Sequence, residues 1–298
     1  MNKDIIRYQK AFNTIIERLK DNDKVLAVMV FGSMVTGDLW EESDIDLFII
    51  LDKKSSSIKK IYTEEKGVPI HIKLLDSNEL NTIYDDDLRG GKTHRIFASS
   101  RLVFSKDLSV NSWYDKCRYY PDRDRERWNL VYLGNLFKSI GMCKKYLKNS
   151  GFYVAYNAAI NIVEDFSKLY INYSGYMISK DAITMATSLN DEFKKIVDSL
   201  FFYKENLKEI INKLIKYIED FLNDNIRKIT SILMDYMKEK EILLTSEEIE
   251  KDSIFINYNI HMEEILNCLN KLNIIKKSSR KVKVNTGELL FEQNVYFI

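Results

Sequence analysis

Residues 31–49 read FGSMVTGDLWEESDIDLFI. Gly32-Ser33 opens the stretch, and Asp44-Ile45-Asp46 nearly closes it. The flanking runs, VLAVMVF (25–31) and IDLFIIL (45–51), are short, apolar and rich in β-formers. That is the pattern of strands buried on both faces. Asp44 and Asp46 are two residues apart, so on a strand they point to the same side. Adjacent carboxylates repel unless a cation neutralises them, and an acid inside an apolar run needs a reason to be there. Gly32 lets backbone approach a ligand with no Cβ in the way. Ser33 offers a hydroxyl and a backbone N–H where the next segment begins, a position that favours anions. A bound anion and a divalent cation would satisfy this set together.

Working outward, VPIHIKLL (68–75) alternates and predicts a third, half-exposed strand, with His71 and Lys73 on one face and Ile70, Ile72 and Leu74 on the other. RLVF (101–104) predicts a fourth. DSNEL (76–80) predicts a helix start capped by Asp76 or Ser77. Ile5, Tyr8, Phe12, Ile15, Ile16 and Leu19 recur at helical spacing near the N-terminus. From about Asp124 to Lys240 the pattern is helical, broken near Gly151, Gly175 and Leu189-Asn190. TSEEIEKD then predicts a capped helix, IHMEEILNCLNKLNII a second, and the last residues two strands around Asn285-Thr286-Gly287. The predicted fold class is α/β (α+β): a core with a small mixed sheet, then a helical bundle, then a winged-helix-like C-terminal domain. The predicted boundaries are 1–110, 111–240 and 241–298.

Composition excludes several classes. The chain of 298 residues is 45% hydrophobic and 30% charged, with a net charge of +1. No global field draws it to nucleic acid or membrane. Cys117, Cys143 and Cys268 are far apart and odd in number, which argues against a disulfide framework or a zinc site. The charged N-terminal helix pattern is not that of a signal peptide, and no apolar run reaches about 18 residues. The expectation is a cytoplasmic protein.

Gly32-Ser33 followed by Asp44-Ile45-Asp46, each tied to an apolar strand, resembles the DNA polymerase β-type nucleotidyltransferase superfamily over roughly residues 20–105. Within it the chain resembles the bacterial antibiotic nucleotidyltransferases, and also nucleotidyltransferase-like proteins with a helical domain and a C-terminal winged helix. The resemblance implies Mg²⁺-dependent transfer of a nucleoside monophosphate, AMP above all, from an NTP to a hydroxyl of a small molecule or protein. It implies that Gly32 and Ser33 bind phosphates and that Asp44 and Asp46 bind metal. A third carboxylate usually stands on a neighbouring strand of this superfamily; here His71, in Ile70-His71-Ile72, occupies that slot. His71 is read as a metal ligand, a base, or an ordinary sheet-surface histidine.

The resemblance also implies a base from the helical domain. Asp165 lies at the edge of the apolar face of AYNAAINIVEDFSKLY, with Glu164 roughly opposite, so Asp165 is the candidate. Arg89 and Lys92, in DDDLRGGKTHR (85–95), are candidates for a basic loop at the triphosphate. Lys271, Lys276, Lys277, Arg280, Lys281 and Lys283 would suit phosphate contacts in a winged helix, so residues 241–298 are candidates for contact with DNA or a protein partner, homodimerisation included. A nucleotide-binding regulator acting through that segment is the alternative reading.

Overall fold

The computed structural model describes residues 2–52, 59–76, 79, 89–178, 180–202, 206–283 and 288–298. The chain divides into two compact units, Met1–Tyr120 and Pro121–Ile298.

The first unit is built on a five-stranded mixed sheet in the order β3-β4-β2-β1-β5. These strands are β1 (Val25–Phe31), β2 (Ile45–Leu51), β3 (Lys60–Glu65), β4 (Val68–Asp76) and β5 (Arg101–Ser105). β2 and β4 are parallel, and the other neighbours are antiparallel. β1 and β2 are apolar on both sides because both sides are covered. On one face Val28, Val30, Ile45, Leu47 and Ile49 pack with Tyr8, Phe12, Ile15 and Ile16 of α1 (Asn2–Lys20). On the other, Ala27, Met29, Phe31, Phe48 and Ile50 pack with Phe97 of α3 (Lys92–Ser99) and with Val110 and Tyr114 of α4 (Leu108–Arg118). Between β1 and β2 lies only a single turn of helix, α2 (Ser33–Thr36).

The four predicted strands are present at their predicted places, and β3 is an addition. β3 is exposed along most of its length. Its sequence, KIYTEE, carries one aliphatic residue, Ile61, which packs on the sheet. Such an edge strand takes its stability from pairing with β4 and leaves little hydrophobic pattern to read. Ile5 belongs to the predicted apolar face of α1 but is 44% exposed, whereas Ala11 is buried in its stead. Asp76 accepts a hydrogen bond from the Glu79 backbone N–H at 2.8 Å, as a cap would. Ser77 and the turn at Asn285-Thr286-Gly287 lie outside the described residues.

The second unit is helical and ends in a hairpin. Its helices are α5 (Asp122–Lys148), α6 (Phe152–Tyr173), α7 (Ala182–Leu189), α8 (Asp191–Phe202), α9 (Leu207–Ile229), α10 (Ser231–Lys240), α11 (Ser246–Glu250) and α12 (Met262–Lys271). Strands β6 (Lys276–Lys283) and β7 (Leu289–Phe297) follow as an antiparallel pair. The predicted breaks at Gly151, Gly175 and Leu189-Asn190 fall at helix ends. In α9, Ile211, Leu214, Ile215, Ile218, Leu222, Ile226 and Ile229 are buried at three- and four-residue spacing, the amphipathic stripe that drives bundle packing. One continuous apolar core runs from α5 to Tyr296 and includes Ile249, Phe255, Ile265 and Leu269, so residues 244–296 pack with the helices before them.

Polar contacts pin the hairpin to this core. Tyr296 is fully buried, and its hydroxyl donates to Glu263 Oε1 at 2.7 Å. Burial acts to raise the Glu263 carboxyl, but the hydrogen bonds it accepts from Tyr296, Ser246, Asn294 and Asn267 outweigh it and hold the carboxyl below its ordinary range. Arg280 of β6 pairs with Glu248 of α11 at 2.7 Å. Thr245 caps α11 in a reciprocal box: its hydroxyl accepts from the Glu248 N–H, and the Glu248 carboxylate accepts from the Thr245 N–H at 2.8 Å. Thr245→Ala removes that cap and is expected to cost about 1 kcal/mol, read as a lower midpoint in urea unfolding with the slope unchanged.

Candidate metal and nucleotide site

The polar groups of the first unit that matter most stand where buried strands end. The β1–β2 pairing sets Phe31, the last residue of β1, beside Asp46. The parallel β2–β4 register sets Asp46 beside His71 and Ile45 beside Ile70. Asp46 faces the same side as Phe48 and Ile50, one residue into β2 from its start, and Asp44 immediately precedes the strand. His71 Nδ1 lies 2.6 Å from Asp44 Oδ2 and 3.8 Å from Asp46 Oδ1. One donor atom from each of the three residues lies within 4.8 Å of the other two. The side chains are 34% (Asp44), 25% (Asp46) and 42% (His71) exposed, so the group is open to a ligand.

The turn after β1 is fitted against this group. Gly32 has φ of +72°, and a Cβ there would stand 2.5 Å from Asp46 Oδ2. No side chain can occupy the position without moving Asp46. Ser33 Oγ donates to the Asp44 carbonyl oxygen at 3.4 Å, a long bond that ties the turn to the first acid. The ring of Tyr62, the β3 partner of His71, stands nearly perpendicular to the imidazole at a centroid distance of 4.7 Å. Oxygen and imidazole donors at these spacings are compatible with one divalent ion: adjacent donors at ~2.1 Å from a common ion stand about 3 Å apart in an octahedral set.

Arg89 sits half-buried in the turn before α3, and Lys92 is exposed as the first residue of that helix. His94, from the same basic stretch, is a buried structural residue. Its Nδ1 accepts from the Gly90 N–H at 3.0 Å, and its Nε2 lies 3.1 Å from the Tyr119 carbonyl oxygen.

Asp165 belongs to the second unit. There it lines a groove of about 300 Å³ with Asn135, Lys138 and Ser139 of α5, Asn161, Glu164 and Lys168 of α6, and His261. Ser139 Oγ donates to Asp165 Oδ2 at 2.9 Å, and Lys168 Nζ donates to Glu164 Oε1 at 2.5 Å. Burial raises the Asp165 pKa; the Ser139 hydrogen bond and the charge of Lys168 oppose this without cancelling it. Glu164, expected on the opposite side, also lines the groove. The signal for this set was the polar stripe at positions 135, 138 and 139, matched by 161, 164, 165 and 168 at helical spacing. No local pattern brings in His261. It reaches α5 because Gly134 leaves room: a Cβ at Gly134 would stand 3.0 Å from the His261 backbone nitrogen.

Residues 13–109 match the family model of the polymerase beta nucleotidyltransferases. That span lies within the first unit and holds Gly32, Asp44, Asp46 and His71. The chain is also similar in fold to a crystal structure of a nucleotidyltransferase-like protein from Exiguobacterium sibiricum, with a TM-score of 0.64 and 14% identity, covering 97% of this chain and 99% of that one. A structure of spectinomycin adenyltransferase AAD(9) from Enterococcus faecialis with ATP and spectinomycin matches at 14% identity, covering 72% of this chain and 97% of that one. Its TM-score is 0.31, too low to bear on this chain. No curated protein matches the sequence significantly. Among the described residues no helix is long and apolar enough to cross a membrane.

The fit of Gly32 against Asp46 makes Gly32→Ala a test of the site's construction. The substitution is expected to destabilise the first unit by about 1–3 kcal/mol, from positive φ and the displaced carboxylate. It should also weaken Mn²⁺ binding by about 10-fold or more, followed by calorimetry.

Proposed function

We propose that the protein is a divalent-metal-dependent nucleotidyltransferase that moves a nucleoside monophosphate, AMP in the first instance, from an NTP to the hydroxyl of a small-molecule or protein acceptor. The observation that carries this reading is the convergence of Asp44, Asp46 and His71 beside the Gly32 turn, inside the span that matches the nucleotidyltransferase model.

In the reaction, the acceptor oxygen bonds to the α-phosphorus of the NTP, the bond from that phosphorus to the bridging oxygen breaks, and pyrophosphate leaves. Asp44, Asp46 and His71 would hold the metal, Mg²⁺ by resemblance, which when bound neutralises charge on the phosphates. Gly32 offers backbone unobstructed by a side chain, and Ser33 a hydroxyl, to the phosphate chain. Arg89 and Lys92 supply positive charge to the same triphosphate. We assign acceptance of the hydroxyl proton to Asp165, on its own surroundings: burial raises its basicity, and the Ser139 hydroxyl fixes its orientation.

The second reading, a nucleotide-binding regulator contacting DNA or a partner through residues 241–298, draws on Lys276, Lys277, Lys281 and Lys283, exposed along β6. Against it, α12 opens with Glu263 and Glu264, where a groove-reading helix places groups that face phosphate and base edges.

Two experiments test the transferase reading. Asp44→Asn and Asp46→Asn are each expected to lower NTP-dependent pyrophosphate release at least about 10²-fold, with far-UV circular dichroism unchanged; full activity in either variant sinks the assignment. For Asp165 the sign follows from its raised pKa. The base works ionised, so activity falls as pH drops through a value above the ordinary carboxylate range. Asp165→Asn should remove that acid limb and about 10²–10⁴-fold of the rate. A limb that survives the substitution belongs to another group.

A further inference from the structure

We infer that His71 tunes the metal group toward a divalent first-row transition ion, of which Mn²⁺ is the hardest and most weakly bound member, and away from Mg²⁺. The inference deepens the transferase reading, resting on it for the site's location but not for its chemistry.

Three observations converge. First, His71 holds the position on β4 directly opposite Asp46 in the parallel register, so its side chain emerges on the carboxylate face by construction. Second, it turns Nδ1 toward both acids, at 2.6 Å from one and 3.8 Å from the other. These spacings bracket the roughly 3 Å between adjacent donors on one octahedral ion. The shorter pair needs to open by only a few tenths of an ångström. Third, the Tyr62 ring packs nearly perpendicular to the imidazole, with 4.7 Å between centroids, on the side of His71 given by β3.

The donor set is therefore two carboxylates and one imidazole. Mg²⁺ prefers hard oxygen donors and dehydrates reluctantly, so a neutral nitrogen ligand contributes little to its binding. Imidazole binds transition ions well, in an order that rises from Mn²⁺ through Co²⁺. An imidazole in place of a carboxylate also removes one formal negative charge, which weakens both divalent ions alike, so the selectivity comes from the nitrogen donor.

The test uses the full chain without nucleotide. Mn²⁺ and Mg²⁺ are titrated by calorimetry against wild type and His71→Asp, and the Mn²⁺ complex is examined by pulsed electron paramagnetic resonance for ¹⁴N coupling. The expected result is direct ¹⁴N coupling in wild type that is lost in His71→Asp, with the Mn²⁺-to-Mg²⁺ affinity ratio falling about 10-fold or more in the variant. Absence of ¹⁴N coupling in wild type, or a ratio unchanged by His71→Asp in a folded variant, overturns the inference. The wild-type spectrum decides the question even where the variant fails to fold. Pyrophosphate release, assayed in parallel with each ion, separates the two readings. Nitrogen ligation without turnover under any condition leaves this inference standing and removes the transferase. Turnover with no nitrogen ligation does the reverse.

Discussion

Two carboxylates at the mouth of a buried strand impose the constraint on which the first unit depends. Asp44 and Asp46 cannot be brought together in a dry interior without a counter-charge. The structure meets this by placing them where β2 begins, at the open end of a sheet whose two faces are both sealed by helices. The strand ends are where polar chemistry can reach water in such an architecture. The parallel partner β4 then delivers His71 to the same spot, and the antiparallel partner β1 delivers Gly32. Two registers therefore bring together four residues at or beside the ends of three strands, and a slip of one residue in β4 would turn His71 to the wrong face.

The second unit uses a different economy. Its helices bury long aliphatic stripes, yet α5 and α6 each keep one polar stripe, and the two face a common groove. Partial desolvation there sets the basicity of Asp165, and the hydroxyl of Ser139 fixes its orientation. The C-terminal hairpin is held by the fully buried Tyr296, the Arg280–Glu248 pair and the Thr245 cap. Glu263 is committed to internal hydrogen bonds with Tyr296, Asn267 and Asn294. The polar surface of α12 is therefore partly spent on holding the hairpin in place.

Similarity in fold extends over nearly the whole chain, whereas the match to the nucleotidyltransferase family model stops at residue 109. A shared architecture does not by itself carry a shared activity, so any functional reading rests on the residues of the site. His71 stands beside Asp44 and Asp46 in a group that could hold a metal ion, and it brings a nitrogen donor to two carboxylates.

The sequence by itself determined the buried strands, the turn between them and the acid pair, because a continuous apolar run and a two-residue spacing are local properties. It determined the helix stripes and their breaks for the same reason, and a capped helix start at Thr245 or Ser246, of which the structure makes Thr245 the cap. β3 escaped because an edge strand owes its existence to its neighbour rather than to its own hydrophobicity. The contact of His71 with Asp44, the 2.5 Å approach that excludes a Cβ at Gly32, and the place of His261 beside Asp165 were decided only by the tertiary structure. Each depends on register or packing between segments distant along the chain, and no local pattern encodes the distance between two atoms that meet only when the chain has folded.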